Sequence, residues 1–563
     1  MVHLSKRWVT ATRILPDAEA ELHGFPPVLR QILYNRGYAT HNEARRFLEA
    51  QPPPGTEPTQ MAGVPEAVER LVKAIQGQEK VAIYGDYDAD GVTATALLVQ
   101  ALRRLGADVL GYIPNRFDEG YGLNIEALSA LHEGGVRLVI TVDCGIRSVA
   151  EGQHAQSLGL DLIITDHHHV GEEIPPALAV INPKQPGDTY PDKDLAGVGL
   201  AYKLAAGLLE KMQDAPNAAS QYLDLVAIGT VADLAPLVGE NRALVRAGLE
   251  RIRQPARQGV MALIGVSGLQ PAQITSTDIG FTLGPRLNAA GRLDSALAAF
   301  ELLTTANVGE AARLAQELEI QNRERQQITR EVQQQAEALV GEEDTLLIFA
   351  AHPDFNPGVV GLAASRLVEN RYRPAIVAHQ GEEFTRASCR SIPEFHITQA
   401  LDRCADLLEH HGGHAAAAGF TVSNRNLPEL VERLQAIAAE QLSGLDLRPT
   451  LYADMEISLS ELKPELLTYL DWLQPTGYGN HQAVFLSRGA RVVRSRTVGK
   501  DQSHLKLTLT DGRITYDAIA FRQGHWYGRL PANIDLMYTF ERNEFNGNVT
   551  LQLNVRDLQA AGG

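Results

Sequence analysis

Three short segments of this chain carry side chains that bind divalent cations. Asp86, Asp88 and Asp90 alternate in GDYDADG, directly after the β-prone run VAIY (81–84). Asp143 follows LVIT (138–141), and Asp166, His167, His168 and His169 follow LIIT (162–165). If the three runs are neighbouring parallel strands, all these groups stand at one end of one sheet. Carboxylates packed that closely repel and take up protons unless a cation sits among them. A set of aspartates and histidines suits manganese, magnesium or zinc, and this many oxygens favours the first two. The set is large enough for two ions, which together activate a water and neutralise a phosphate. Two plainer readings stand beside this one. DxDxDG also occurs as a turn or as a calcium loop, although a calcium loop needs a helix before it and a later glutamate. A run of histidines also occurs as solvated surface.

The elements around these residues set the fold class. Strands and helices alternate from about 62 to 240: VAIY, TATALLVQALRRLG, ADVLGYIP, LNIEALSALHEGG, RLVITVDCG, SVAEGQHAQSLG, DLIITDHHH and ALAVINP. Short, fully apolar strands separated by helices predict a parallel sheet buried on both faces, with ligands beyond the carboxyl ends of its strands. A long helical pattern follows over 305–341. Its centre, EIQNRERQQ, is polar on every face, which predicts a solvent-bridging strut. A second α/β lobe covers 342–445, with ASCRSIPEF read as a loop and AAAAG (415–419) as a packed helix. From 446 to 563 short alternating strands predict a small barrel. The first 60 residues read as a helical segment ending in the proline-rich linker QPPPGTEP, and 61–304 as the catalytic domain.

Composition excludes several classes. The 563 residues are 44% hydrophobic and 21% charged, with a net charge of −17, so the chain is neither disordered nor coated in basic surface. Cys144, Cys389 and Cys404 are odd in number and unpaired in sequence, which argues against a disulfide scaffold or a thiolate zinc site. No apolar run reaches the roughly 20 residues of a membrane span, and no signal-peptide core opens the chain. A cytoplasmic protein is expected. One window departs from the global acidity. Residues 481–530 hold nine Lys and Arg against three acids, interleaved with Phe485, Tyr516, Phe521, Trp526 and Tyr527. Cationic surface with aromatic platforms is what single-stranded nucleic acid requires. Taken singly, each aromatic reads more readily as barrel core.

Several motifs together resemble the DHH phosphoesterase superfamily. YGDYDADG (84–91), TVDCG (141–145), TDHH (165–168) and LVAIGTVADLAPL (225–237) resemble its four catalytic motifs, and HGGHAAAAGF (411–420) the signature of its associated second domain. GPRLNAAGRLD (284–294), ASCRS (387–391) and QPTGYGNHQAVF (474–485) resemble its single-stranded-DNA-specific exonuclease branch. The resemblance implies a parallel-sheet DHH catalytic domain, a DHH-associated α/β domain and a C-terminal OB-fold barrel. It implies hydrolysis of single-stranded DNA from 5′ to 3′ into mononucleotides, in repair and recombination, with two Mn2+ or Mg2+ ions. The implied metal ligands are Asp88, Asp90, Asp143 (bridging), His167 and Asp233, with Asp86 added because Tyr84 stands where relatives carry a ligating histidine. His168 would contact the scissile phosphate, with Asp166 orienting it. Arg116, Ser388 and Arg390 would hold the terminal phosphate, with Gly413 and His414 close by; Arg286 and Asn288 would line the substrate path or, nearly as readily, cap a helix. In the barrel, Tyr516, Phe521, Trp526, Arg494 and Arg496 are the expected nucleic-acid contacts. A single-strand-binding protein and a helicase are the implied partners of a monomer, with no membrane partner. Phe355-Asn356 replaces an expected Trp-His pair. Two siblings remain as alternatives: a phosphoesterase of very short oligonucleotides, which would not need residues 450–560, and a replication subunit without activity, which would not need the acidic set.

Overall fold

The computed structural model describes residues 5–115, 119–120, 122–341, 345–545 and 548–562. The chain divides into two compact units. The larger comprises residues 10–319 and 452–563, the smaller residues 1–9 and 320–451.

In the larger unit, β1 (Lys80–Gly85), β2 (Asp108–Tyr112), β3 (Val136–Val142), β4 (Asp161–Thr165) and β5 (Ala179–Ile181) form one sheet. Its order is β2-β1-β3-β4-β5, and every pairing is parallel. Successive residues of β1 point into different cores. Val81 and Ile83 join one apolar cluster, Ala82 and Tyr84 another. Burial on both faces is why the strands lack polar alternation. The chain leaves β1 for one side of the sheet and later returns to the other. The crevice at that reversal opens beyond the carboxyl ends of β1 and β3. Helices α1 (Ala89–Arg104), α2 (Gly197–Lys211) and α3 (Leu223–Ala232) pack together beside it.

In the smaller unit, β6 (Ile348–His352), β7 (Ala375–Gln380), β8 (Phe384–Arg390), β9 (Leu408–Gly413) and β10 (Ala417–Ser423) form a mixed sheet. Two expectations fail here. ASCRS is the end of strand β8 rather than a loop, and AAAAG enters strand β10 rather than a helix. Alanine is the strongest intrinsic helix former, but propensity is a weak determinant beside tertiary pairing. Pairing of β10 with β8 on one side and β9 on the other overrides it.

A 33-residue helix, Val308–Val340, crosses the division between the units. Its polar centre is not solvated throughout, because Glu319 is buried and paired with Arg286 at 2.7 Å.

The barrel belongs to the larger unit. Strands β11 (Phe485–Val498), β12 (His504–Thr510), β13 (Thr515–Ala520), β14 (Asn533–Phe545) and β15 (Asn548–Ala560) pair in the order β11-β12-β13-β15-β14, and β14 returns to β11. Closure gives each of these five strands a partner on both sides, and the two-residue strand Met455–Glu456 adds parallel to the start of β11. The barrel shares its apolar core with the N-terminal helices, through Leu29, Ile32, Leu33 and Phe47.

Arg242, on the helix Gly239–Arg253, fastens this assembly to the rest of the larger unit. It is 1% exposed. Its guanidinium lies 4.1 Å over the Phe47 ring. It donates to the carbonyl oxygens of Phe47, Trp472, Leu473, Gln474 and Pro475 at 2.8–3.1 Å. Arg242→Met should lower unfolding free energy by about 3–5 kcal/mol, the usual cost of leaving buried polar partners behind. Urea denaturation would measure it, and a loss under about 1 kcal/mol would contradict this role.

Among the described residues no helix is long and apolar enough to cross a membrane. Cys144, Cys389 and Cys404 are buried free thiols.

Candidate metal centre

The crevice at the sheet reversal is lined by the acidic motifs. Asp88 caps α1, and its carboxylate accepts from Asp90 N–H at 2.9 Å and Gly91 N–H at 3.1 Å. This tight turn needs glycine at 91, where a Cβ would lie 2.6 Å from the backbone of Asp86. Asp90 is held by the start of α2. Its oxygens accept from Gly197 N–H at 2.7 Å and Val198 N–H at 2.8 Å, at the positive end of that helix. Asp143 follows β3 with φ +63°, a left-handed conformation uncommon for non-glycine residues but better tolerated by Asp than by most. Its N–H donates to Thr165 O at 3.0 Å. Gly197 leaves it room, since a Cβ there would sit 2.8 Å from Asp143 Cβ. Asp233 is the C-cap of α3.

His167 and His168 follow β4 and face these carboxylates. His167 Nε2 lies 3.1 Å from Asp143 Oδ1, 3.7 Å from Asp233 Oδ2 and 4.0 Å from Asp90 Oδ2. His168 Nδ1 lies 2.7 Å from Asp166 Oδ1, whose carboxylate also accepts from His168 N–H at 3.0 Å and Ile146 N–H at 2.9 Å. Three sets place their ligand atoms within 4.8 Å of one another: Asp86, Asp88 and Asp143; Asp90, His167 and Asp233; and Asp143, His167 and His168. Asp143 takes part in two of them. Tyr84 is not among them. It is buried, and its hydroxyl donates to Gly122 O at 3.0 Å.

The electrostatics of this cluster favour a bound cation. Burial, then the Asp88 charge, pushes Asp90 up to about 7. Burial, then Asp90 and Asp88, pushes Asp233 up to about 9. Asp143 is raised well above the carboxylate range by burial and by its four acidic neighbours. Burial, then His168, pushes His167 down to about 3, so its imidazole is neutral. A buried neutral imidazole nitrogen that makes no hydrogen bond, facing three carboxylates, is a donor set for a divalent cation. Burial lowers His168, but the hydrogen bond and charge of Asp166 outweigh it and hold His168 above its ordinary value.

In the smaller unit Ser388 and Arg390 end strand β8. Arg390 Nη1 donates to Ser388 Oγ at 3.1 Å and to Cys389 O at 2.7 Å. Gly361, in the first turn of the helix Val360–Arg371, lies against both. A Cβ there would meet Ser388 Oγ at 2.8 Å and Arg390 Nη2 at 3.1 Å. A helix N-terminus, a hydroxyl and a guanidinium converge there, groups of the kind that bind anions. Gly413, with φ +146°, and His414 lie at the β9–β10 hairpin, where His414 N–H donates to Ala417 O at 2.7 Å. Phe355 is core, and Asn356 Oδ1 accepts from Gly358 N–H at 2.8 Å.

Three family models match in chain order: the DHH family N-terminal domain over residues 80–230, the DHHA1 domain over 343–440 and the RecJ OB domain over 453–557. The chain is 37% identical to the single-stranded-DNA-specific exonuclease RecJ of Escherichia coli, covering 99% of both chains. It is 40% identical to that of Bacillus subtilis, over 95% of this chain and 68% of the relative. The chain belongs to the RecJ family. Its fold matches that of RecJ from Thermus thermophilus in complex with Mn2+, with a TM-score of 0.86 at 31% identity, covering 99% of this chain and 80% of that one. The same protein in complex with Mg2+ gives 0.80 at 29% identity, covering 99% of this chain and 79% of that one.

Other expected contacts of this RecJ-family chain fare differently. Arg116 lies outside the described residues. Arg286 is turned to Glu319 and donates to Thr282 O at 2.6 Å, which makes it an internal ion pair rather than an open phosphate contact. Asn288 Oδ1 accepts from Ala89 N–H at 2.7 Å and so caps α1. Tyr516 is barrel core, edge-on to Phe540, with its hydroxyl bonded to Leu462 O. It offers no stacking face, which corrects the expectation. Trp526 is half-buried against the same core. Phe521 is 53% exposed, and Arg494 and Arg496 lie on β11, both exposed. Sequence reasoning missed Gly361, Asn182 and Lys184. The signals were present, as glycine in GVVGLAASR and as NPK directly after the strand ALAVI.

The raised carboxylates set the pH response of the metal-free protein. Asp90 and Asp233 bind protons in the fold at pH values where the unfolded chain, with carboxylates near about 4, does not. Stability therefore falls as pH rises through their folded values. The depressed His167 works oppositely, but only below about 6.5. The net decline should thus show between about pH 6.5 and 9. In chelator the melting temperature should drop across that window, less steeply in Asp233→Asn, and Mn2+ should remove the slope. A flat profile in chelator would contradict the crowding.

Proposed function

We propose that the chain hydrolyses single-stranded DNA from its 5′ end to mononucleotides with two divalent ions, Mn2+ or Mg2+. The observation that carries this reading is Asp143, shared between one ligand set with Asp86 and Asp88 and another with His167 and His168. Asp86, Asp88 and Asp143 would hold one ion, and Asp90, His167, Asp233 and Asp143 the other. Bound there, the pair would activate a water and neutralise phosphate oxygens. Asp166 orients His168 through Nδ1 and favours its charged form, which places contact with the scissile phosphate on Nε2. Ser388, Arg390 and the helix start at Gly361 receive the 5′-phosphate, with Gly413 and His414 as further contacts in the same unit. The complete acidic set speaks against an inactive replication subunit, and the barrel against a very short substrate. Action in the cytoplasm as a monomer, beside a single-strand-binding protein and a helicase, completes the reading, and buried free thiols suit a reducing compartment. Strands labelled at either end test it. Mononucleotides should appear from the 5′ label first, only with Mn2+ or Mg2+ present. Release from the 3′ label first would overturn the polarity.

On the barrel, Arg494 and Arg496 serve as backbone contacts, with Phe521 as a stacking face. The shared core rules out deletion as a clean test, so charge reversal replaces it. Arg494→Glu with Arg496→Glu should weaken binding of long strands and flatten its salt slope by about 2. An unchanged slope would make these arginines solvated surface.

A further inference from the structure

His167, His168 and His169 are consecutive, and a different side chain holds each of their carbonyl oxygens. Lys184 Nζ donates to His167 O at 2.7 Å. Asn182 Nδ2 donates to His168 O at 2.9 Å. Arg147 Nε donates to His169 O at 2.9 Å. This loop has left the strand ladder, so its carbonyls need partners elsewhere. Fixing each peptide plane also fixes the Cα–Cβ direction of each imidazole. The fully buried Asn182 does double duty. Its Oδ1 accepts from Lys184 N–H at 2.8 Å, which folds the turn that brings the ammonium back under His167. Ile181 O, at the end of the three-residue strand β5, accepts from Asp166 N–H at 3.2 Å. The short fifth strand thus delivers a clamp to the loop that follows the fourth.

We propose that Lys184 is a positioning residue that sets the affinity of the centre for divalent metal. It does so by holding His167 Nε2 among Asp90, Asp143 and Asp233. The inference rests on the two-metal reading above. Lys184 could act on a bound cation in two ways of opposite sign. As a peptide anchor it aims the imidazole and tightens metal binding. As a positive charge near Asp233 and His167 it repels the metal and weakens binding. The direct bond to the His167 carbonyl makes the anchor the dominant effect. Outer groups that orient a metal ligand through hydrogen bonds commonly change affinity by roughly 10–100-fold.

The test is a Mn2+ titration of the full chain without substrate, following the electron paramagnetic resonance signal of free Mn2+. Lys184→Met should weaken binding roughly tenfold or more. Lys184→Arg, which keeps a donor and the charge, should recover most of the loss. The Mn2+ concentration giving half-maximal cleavage should move by the same factor as the binding constant. Circular dichroism checks that the variants fold, and Lys184→Gln replaces Lys184→Met should that variant not fold. Unchanged or tighter Mn2+ binding by the folded variant would overturn the clamp and leave the metal centre standing. Absence of Mn2+ binding by the unaltered chain would overturn the two-metal reading itself.

Discussion

Asp143→Asn should lower the rate of strand cleavage at least roughly a thousandfold, because loss of a shared ligand removes several kcal/mol of charge stabilisation at both ion positions. Asparagine is the informative substitution. It tolerates the positive φ at this position better than alanine and nearly matches the carboxylate in size, so Gly197 still packs against it. It also removes one charge from a crowded cluster, so the metal-free variant should melt no lower than the parent. Turnover near normal at saturating Mn2+ would contradict the assignment of Asp143. A large loss of activity accompanied by unfolding would place the residue in the fold instead.

Arg390→Ala should reduce the preference for a 5′-phosphorylated end over a 5′-hydroxyl by roughly 10–100-fold, the worth of charge-assisted hydrogen bonds of about 1.5–3 kcal/mol. Cleavage of unphosphorylated strands should change little. Gly361→Ala offers an independent probe of the same corner. Its Cβ would sit 2.8 Å from Ser388 Oγ, so the added methyl group should close the space without removing any charge. Both variants should lose end discrimination together. Equal losses on phosphorylated and unphosphorylated strands would show that this corner does not read the end.

Asp86, Asp88, Asp90, Asp143 and the histidine run were legible in the sequence because each motif directly follows a run with strand character, whereas Asp233, at the end of a helix, came only from the family resemblance. In a parallel sheet such positions fall at one end whatever the strand order. The order itself, with β1 and β3 flanking the reversal, was not legible, and it is what brings Asp86, Asp88 and Asp143 together. The helix expected at AAAAG failed because alanine carries no tertiary information, and two neighbouring strands decide the backbone there. Tyr516 and Phe521 illustrate the limit for barrel aromatics. Both lie in the same basic window, yet one side chain points to the core and the other to solvent. A composition window cannot tell which face a residue takes. Arg286 was misread for a related reason. Its partner Glu319 is 33 residues away, in a stretch whose polarity looked solvated. Lys184 escaped notice because a lone lysine after a strand is ordinarily surface, and only the carbonyl it reaches gives it a role.

The most direct test of the metal centre is a count of Mn2+ bound per chain by equilibrium dialysis, set against cleavage rate in the same samples. Two ions per chain are expected, with activity rising as the second binds and vanishing in chelator. Full activity with one ion bound, or cleavage that persists in chelator, would contradict a centre built on Asp143.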